Sequence, residues 1–218
     1  IGGGPLLDTR DPLPEEAWRW TRQGSGEARI RIGFRAGIPG ILDGETLDPV
    51  ALIGRLNRLG GRLGVGRGYH LGDTVLGIKG RIAFEAPAAE FLLVAHAELE
   101  KLVLTEEQRF WKDHLGEVYG RRLHQGLFHD PFLRDVEAFL ASSQERVTGT
   151  VRLHLADGRV TVEGLESPFG MLQASAARYG ERADPALKPG AAAAMARILA
   201  EPARLHRLAA EAGGETDA

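Results

Sequence analysis

Ionisable side chains gather in one glycine-rich segment, GVGRGYHLGDTVLGIKGRIAFEAP, which covers residues 64–87. Lys79 and Arg81 lie two residues apart, and a pair of cations at this spacing can bind a carboxylate or a phosphate. The same pair is equally typical of two surface strands. Tyr69 and His70 offer a general base, although a single histidine here also fits an ordinary loop. The segment therefore predicts either a substrate pocket or a solvated hairpin.

Metal and phosphate-loop sites find less support in the sequence. The chain has no cysteine, which excludes thiolate nucleophiles, thiolate metal sites and disulfides. The spacings of His96, His114, His124 and His129 do not place them on one helix face, so we expect no metal site. The run GGRLGVG follows a predicted helix, whereas a phosphate-binding loop normally follows a strand and opens a helix. We interpret this run as a flexible helix exit.

Composition restricts the class of protein. The 218 residues suffice for one sizeable domain with or without appendages, and the 43% hydrophobic and 26% charged fractions are those of a globular protein. A formal net charge of -3 predicts no nucleic-acid partner. No apolar run approaches the roughly 18 residues of a membrane span, and no signal peptide is visible, so we expect a cytoplasmic protein. The opening IGGGPLL lacks Met, which indicates the interior of a longer sequence.

The start of the chain predicts an extended arm. Residues 1–22 begin rich in Gly and Pro and have no apolar period, so we interpret them as an extended linker. Trp18 and Trp20 flank Arg19 within it. Packing of the arm onto a neighbouring domain explains these tryptophans better than stacking on nucleic-acid bases.

Alternating hydrophobicity predicts the strands. Residues 29–34 read RIRIGF, which is typical of a half-buried strand, and the Gly and Pro residues at 37–40 end it. Asp157-Gly158 between two alternating runs is a strong hairpin signal. Strands are predicted over these ranges: 29–34, a short return at 41–42, 74–79, 81–84, 147–155 and 160–162.

Capping residues predict the helices. Asp48 and Pro49 supply the N-cap and the first residue of one helix, and Gly60-Gly61 would end it. Pro202 should kink or interrupt the Ala-rich helix near the C-terminus. The predicted helices are 49–59, 87–102, 105–122, one that starts at 131 and buries Leu133, Val136, Phe139 and Leu140, and 191–212. Helices mixed with hairpins, rather than βαβ units, favour the α+β fold class.

Several blocks now stand in a recognisable order. They are DPLPEEAW, LNRLGGRLGVGR (56–67), GIKGRIAFEAP (77–87), AHAELEKLVLT (95–105), SQERVTGTVRLHL (143–155) and ESPF (166–169). Together they resemble the C-terminal portion of argininosuccinate synthase from residue 1 to about residue 168. The opening IGGG is similar to the I-E-G-G segment of that family.

The resemblance implies a fold and an organisation. The fold would be an antiparallel sheet with packed helices and a protruding C-terminal helix. Residues 1–22 would be the extended linker, 23–182 the synthetase and multimerisation domain, and 183–218 the C-terminal oligomerisation helix and tail. The family forms homotetramers, so we expect a homo-oligomer as well as an N-terminal nucleotide-binding domain or subunit as partners.

The resemblance also implies an activity. The family joins citrulline to aspartate through a citrulline-adenylate and releases AMP and pyrophosphate. ATP, with Mg²⁺, is bound mainly by an N-terminal domain that carries an S-G-G-x-D-T-S loop, and no such pattern occurs here. We therefore expect the isolated chain to bind ATP poorly.

The residues of the family that grip citrulline are replaced in this sequence. A Glu in a V-E-N-R turn falls on Gly72, a Tyr in a Y-E-T-P turn falls on Phe84, and a Glu in the I-E-G-G segment falls on Gly2. Each charged hydrogen bond lost from a carboxylate forfeits about 1.5–3 kcal/mol. Asp73 is either a displaced substrate carboxylate or a solvated turn residue. Glu85 matches a family Glu and could cap the helix that follows it.

Three hypotheses follow from these replacements, and none assigns a catalytic residue. The first is the C-terminal part of an ATP-dependent, AMP-forming carbon–nitrogen ligase whose acceptor is not citrulline. The second is a non-catalytic scaffold or oligomerisation subunit. The third, which ranks below both, is a true argininosuccinate synthase that binds citrulline through substitute residues.

Overall fold

The computed structural model describes residues 6, 8–21, 26–175 and 190–214. The chain divides into two compact units, Ile1–Met171 and Leu172–Ala218. The strands are β1 (Glu27–Arg35), β2 (Ile38–Leu42), β3 (Glu45–Thr46), β4 (Arg67–Asp73), β5 (Lys79–Glu85), β6 (Gly149–Ala156) and β7 (Arg159–Glu166). The helices are α1 (Pro49–Leu63), α2 (Pro87–Val103), α3 (Glu106–His124), α4 (Pro131–Gln144), α5 (Met171–Ala174) and α6 (Ala191–Gly214).

The main sheet has five strands in the order β3-β2-β1-β6-β7, and every neighbouring pair is antiparallel. Strands β4 and β5 form a separate antiparallel hairpin. This mixture of helices with antiparallel sheets confirms the α+β prediction. Asp157 and Gly158 have φ of 52° and 70°, as the tight turn between β6 and β7 requires.

One face of the main sheet forms the core with helices α1 and α2. Alternate residues of the two central strands point into it, as the period of a strand requires. The sheet contributes Ile30, Ile32, Phe34, Val151, Leu153 and Leu155, and the helices contribute Leu52, Leu56, Phe91, Ala95 and Leu99. All of these residues are at most 5% exposed.

Helix α1 begins as predicted but ends later. The Asp48 side chain accepts hydrogen bonds from two backbone amides of the first turn, and the helix continues through Gly60-Gly61 to Leu63. Gly64, with φ of 70°, is the C-cap. A Cβ at Gly60 would lie 2.4 Å from the Cβ of Pro87, so this glycine permits close packing of α1 on α2 and does not end the helix.

The β4–β5 hairpin also differs from prediction. The predicted strand 74–79 is mostly the turn between β4 and β5, and the glycine-rich residues before it form β4. The apolar residues that suggested a strand are exposed in that turn, with Val75 63% and Leu76 84% accessible. Apolar residues therefore do not mark a strand at this position.

The remaining elements agree with prediction apart from details. Helices α2, α3 and α4 begin at the predicted caps, and β2 begins at Ile38, so Pro39 and Gly40 belong to a strand. Phe139 of α4 is 37% exposed instead of buried. Helix α6 continues through Pro202 without interruption. Within the described ranges, we find no helix whose length and hydrophobicity together would let it cross a membrane.

Candidate functional site

The register of the β4–β5 hairpin sorts the predicted site residues onto two faces. Directly opposed residues of an antiparallel pair share a face, and the faces alternate along each strand. One face, here called the groove face, carries Gly68, His70, Gly72, Gly80, Ile82 and Phe84. The other, the arm face, carries Arg67, Tyr69, Leu71, Asp73, Lys79, Arg81, Ala83 and Glu85. Gly72 and Phe84 thus lie together, whereas Asp73, Lys79 and Arg81 lie on the opposite face.

The arm face binds the segment 8–21, which we call the arm. A guanidinium nitrogen of Arg81 donates to the Asp8 carbonyl at 2.5 Å, and the guanidinium lies 4.4 Å from the centre of the Tyr69 ring. The amide of Leu13 donates to the Tyr69 hydroxyl at 2.7 Å. Arg81 is therefore engaged in holding the arm.

Glu85 is the central contact between the hairpin and the arm. Its carboxylate accepts hydrogen bonds from the backbone amides of Arg19, Trp20 and Thr21 at 2.7–3.0 Å and from the Thr21 hydroxyl at 2.6 Å. Burial by itself raises the pKa of Glu85, but these four hydrogen bonds outweigh it and lower the pKa to about 2. The first turn of α2 is bound by Asn57, whose side-chain oxygen accepts a hydrogen bond from the Ala88 amide at 3.0 Å, so Glu85 secures the arm instead of capping that helix.

Asp73 and Lys79 pair with each other at the far end of the hairpin. The Lys79 ammonium lies 2.8 Å from an Asp73 carboxylate oxygen, and the two side chains are 71% and 58% exposed. Such a solvated pair contributes little stability. Of the two interpretations of Asp73, this exposed ion pair favours a solvated residue over a substrate carboxylate.

The groove face and helix α3 border a groove of about 810 Å³. The hairpin side comprises four residues of the groove face, Asp73 at the end of β4 and three turn residues: His70, Gly72, Gly80, Ile82, Asp73, Thr74, Val75 and Leu76. Helix α3 contributes Gly120, Arg121 and His124. The opposed glycines Gly72 and Gly80 place no side chains of their own in the middle of this surface. The place of these α3 residues in the groove was not predicted, because nothing in the sequence indicates that α3 ends beside this hairpin.

The space above each key glycine of the groove face is already filled. A Cβ at Gly72 would lie 2.4 Å from the Nε2 atom of His70, and a Cβ at Gly68 would lie 2.3 Å from the Phe84 ring. The imidazole of His70 therefore occupies the space where a side chain at residue 72 would begin. Phe84, which is 44% exposed, also borders a smaller pocket of about 440 Å³ beside Trp18 and Trp20.

A buried ionic cluster positions α3, which has no buried residue of its own. Glu100 of α2 is 3% exposed and accepts hydrogen bonds from the Lys112 ammonium at 2.7 Å and from the Gln144 amide at 2.8 Å. His96 lies 3.5 Å from the same carboxylate, and burial lowers the pKa of His96 although Glu100 opposes this. The sequence signal that indicates this cluster is Glu100, a charged residue on the buried apolar face of α2.

The described part of the chain shows no metal-ligand cluster, and its glycine-rich run is engaged in packing. Among residues 6, 8–21, 26–175 and 190–214, no group of three or more His, Asp or Glu side chains is placed to hold a metal ion. The glycine-rich run 60–66 lies at the end of α1, with Gly60 and Gly61 in close contact with Pro87 and the Trp20 carbonyl. It therefore cannot serve as a phosphate loop. Gly2 lies outside the described residues.

Comparison with known proteins decides the family. The sequence profile of the arginosuccinate synthase C-terminal domain matches residues 1–205. The chain belongs to this family. The argininosuccinate synthase C-terminal domain thus accounts for the order of strands and helices along nearly the whole chain.

Relatives within the argininosuccinate synthase family are numerous. The chain is 44% identical to the argininosuccinate synthase of Methanosarcina mazei over 172 aligned residues. The aligned region covers 77% of this chain and 44% of the relative. It is 38% identical over 185 residues to those of Methanocaldococcus jannaschii and Crocosphaera subtropica, with 84% and 83% of this chain covered. In every case the chain spans less than half the length of the relative. It corresponds to the C-terminal part of such proteins.

Proposed function

We propose that the chain is the C-terminal part of an ATP-dependent, AMP-forming carbon–nitrogen ligase of the argininosuccinate synthase type. It joins an amino-acid-type acceptor other than citrulline to aspartate or a similar amine. Membership of the family supports the reaction class. The proposal of a different acceptor rests on one observation. On the groove face, the imidazole of His70 lies over Gly72, the position of the family's glutamate.

This proposal assigns the nucleotide to another part of the protein. ATP, together with Mg²⁺, supplies the activation of the acceptor, and an N-terminal domain or subunit holds both. The glycine-rich run 60–66 supports this assignment because it is used in packing. The contribution of this chain is to bind and orient the acceptor against the β4–β5 hairpin. By analogy with the family, it does so within a homotetramer in the cytoplasm.

The loss of the family's ligands explains why citrulline should bind poorly. Gly72 offers no carboxylate and Phe84 no hydroxyl, and each charge-assisted hydrogen bond that citrulline would lose in this way weakens binding by about 1.5–3 kcal/mol. On the arm face, Glu85 is fully occupied by arm hydrogen bonds and Asp73 is paired with Lys79. Neither carboxylate is available to replace the missing one.

A second candidate function is a non-catalytic scaffold or oligomerisation subunit of an argininosuccinate synthase-like complex. The large apolar side chains exposed on the first unit favour it. Phe110 and Trp111 of α3 are 60% and 49% exposed, and Leu76 of the hairpin turn is 84% exposed. Surfaces of this kind are typical of protein–protein contact.

One assay separates these functions. The chain, joined to or mixed with its N-terminal nucleotide-binding part, is incubated with ATP, Mg²⁺, aspartate and a panel of amino-acid acceptors, and AMP release is measured. Release that depends on an acceptor other than citrulline supports the ligase. Efficient argininosuccinate formation from citrulline contradicts the altered acceptor, and no acceptor-dependent AMP supports the scaffold. As a control, calorimetric titration of the chain alone with ATP should show no micromolar binding.

A further inference from the structure

The groove between the groove face and α3 is bordered by one guanidinium and two imidazole side chains. Arg121 and His124 are three residues apart on α3, so they project from the same side of the helix. His70 stands opposite on β4, with its imidazole over Gly72, and Gly72, Gly80 and Gly120 add no side chains of their own to the space between them. Nothing lies within 4 Å of a Cβ placed at Gly120.

The guanidinium of Arg121 is available to a ligand. Among the described residues it takes part in no ion pair and no side-chain hydrogen bond, whereas Arg67 and Arg81 are both bound to the arm. Glu117 lies one turn earlier on α3 and does not pair with Arg121. Within the described ranges, the carboxylate that borders the groove is that of Asp73, and the Lys79 ammonium lies 2.8 Å from it.

The end of α3 does not cancel this positive charge. Carbonyl groups at the C-terminus of a helix normally repel an anion. Here the carbonyls of Arg121, Arg122 and Leu123 each accept a hydrogen bond from a backbone amide of the following loop, at 3.0–3.1 Å. Their partial charges are therefore partly satisfied, and the side chains of Arg121, His124 and His70 dominate the groove.

We infer that this groove binds an anionic group of the acceptor, a carboxylate or a phosphate, with the guanidinium of Arg121 as its main contact. The inference rests on the proposed function, because the groove contains Gly72, the position of the lost family carboxylate. His70 and His124 offer ring nitrogens to the same anion, and a guanidinium matches the planar geometry of two of its oxygens. The groove has thus changed from a site for a positively charged group into one for a negatively charged group.

The test is an NMR titration of the chain with sodium succinate and, separately, sodium phosphate, at ionic strength held constant with sodium chloride. We expect saturable shifts of the His70 and His124 ring signals with at least one anion. Arg121→Gln should weaken this binding about tenfold, since a charge-assisted contact is lost. Arg122→Gln, on the next residue and outside the groove, should change it less than about twofold.

Each outcome decides the inference. Saturation by succinate alone identifies a carboxylate ligand, and saturation by phosphate alone identifies a phosphate ligand. Shifts that never saturate, or equal weakening in the two variants, mean that only general surface charge is involved and overturn the inference. The titration needs neither ATP nor the N-terminal part, so its failure is distinct from failure of the ligase assay.

Discussion

Replacing Glu85 by Gln should release the arm from the β4–β5 hairpin. The wild-type carboxylate accepts four hydrogen bonds from residues 19–21, whereas the amide nitrogen of a glutamine would face N–H donors. The lowering of the Glu85 pKa from 4.5 to about 2 corresponds to about 3 kcal/mol. Because the side chain is partly solvent-exposed, we expect Glu85→Gln to lower the free energy of unfolding by about 2 kcal/mol.

The assay is urea unfolding followed by tryptophan fluorescence, which reports on Trp18 and Trp20 in the arm. The folded pKa lies below the unfolded one, so the Glu85 contribution is complete above pH 4.5 and is lost as the pH falls towards 2. The variant should lack this part of the acid dependence. Glu16→Gln, at an exposed arm position, is the matched control. A Glu85→Gln protein within about 0.5 kcal/mol of wild type, with an unchanged acid profile, would refute this account of Glu85.

Two further predictions concern packing. Glu100→Gln leaves the Lys112 ammonium without its buried counter-charge and should lower the free energy of unfolding by about 2–4 kcal/mol. The control Glu98→Gln breaks a more exposed pair with Lys101 and should lower it by less than about 1 kcal/mol. Equal losses in urea unfolding would contradict the role of the cluster. Gly60→Ala places a methyl group against Pro87 and should cost about 1–3 kcal/mol, whereas Gly54→Ala on the same helix should be neutral or stabilising by up to about 1 kcal/mol. A thermal-melting series checks this, and a stabilised Gly60→Ala would disprove the close packing.

Local signals were enough to predict most of the fold. The alternation at 29–34 and 147–155, the Asp157-Gly158 turn and the helix cap at Asp48 depend on neighbouring residues alone, so a single sequence reveals them. The apolar turn residues of the hairpin show the limit of such signals. Hydrophobicity indicates that a residue tends to be buried, but not whether a partner surface is present to bury it.

The candidate site depends on contacts that are distant in sequence. Gly60 meets Pro87 across 27 positions, and Glu85 binds amides more than 60 positions away. The groove requires α3 to end beside β4, although His70 and His124 are 54 positions apart. No local pattern encodes these pairings. The ionisable residues of the segment 64–87 and the family positions Gly72 and Phe84 pointed to the hairpin, but not to its partner α3.

The alternation of the hairpin separates two tasks between the odd- and even-numbered positions of the same strands. Side chains at odd positions such as 67, 81 and 85 bind the arm, and residues at even positions such as 70, 72 and 80 line the groove. Exchanging a side chain at position 70, 72 or 80 therefore leaves the arm contacts intact, so ligand preference can change without loosening the scaffold. Insertion of one residue in β4 would invert the assignment and spoil both tasks together.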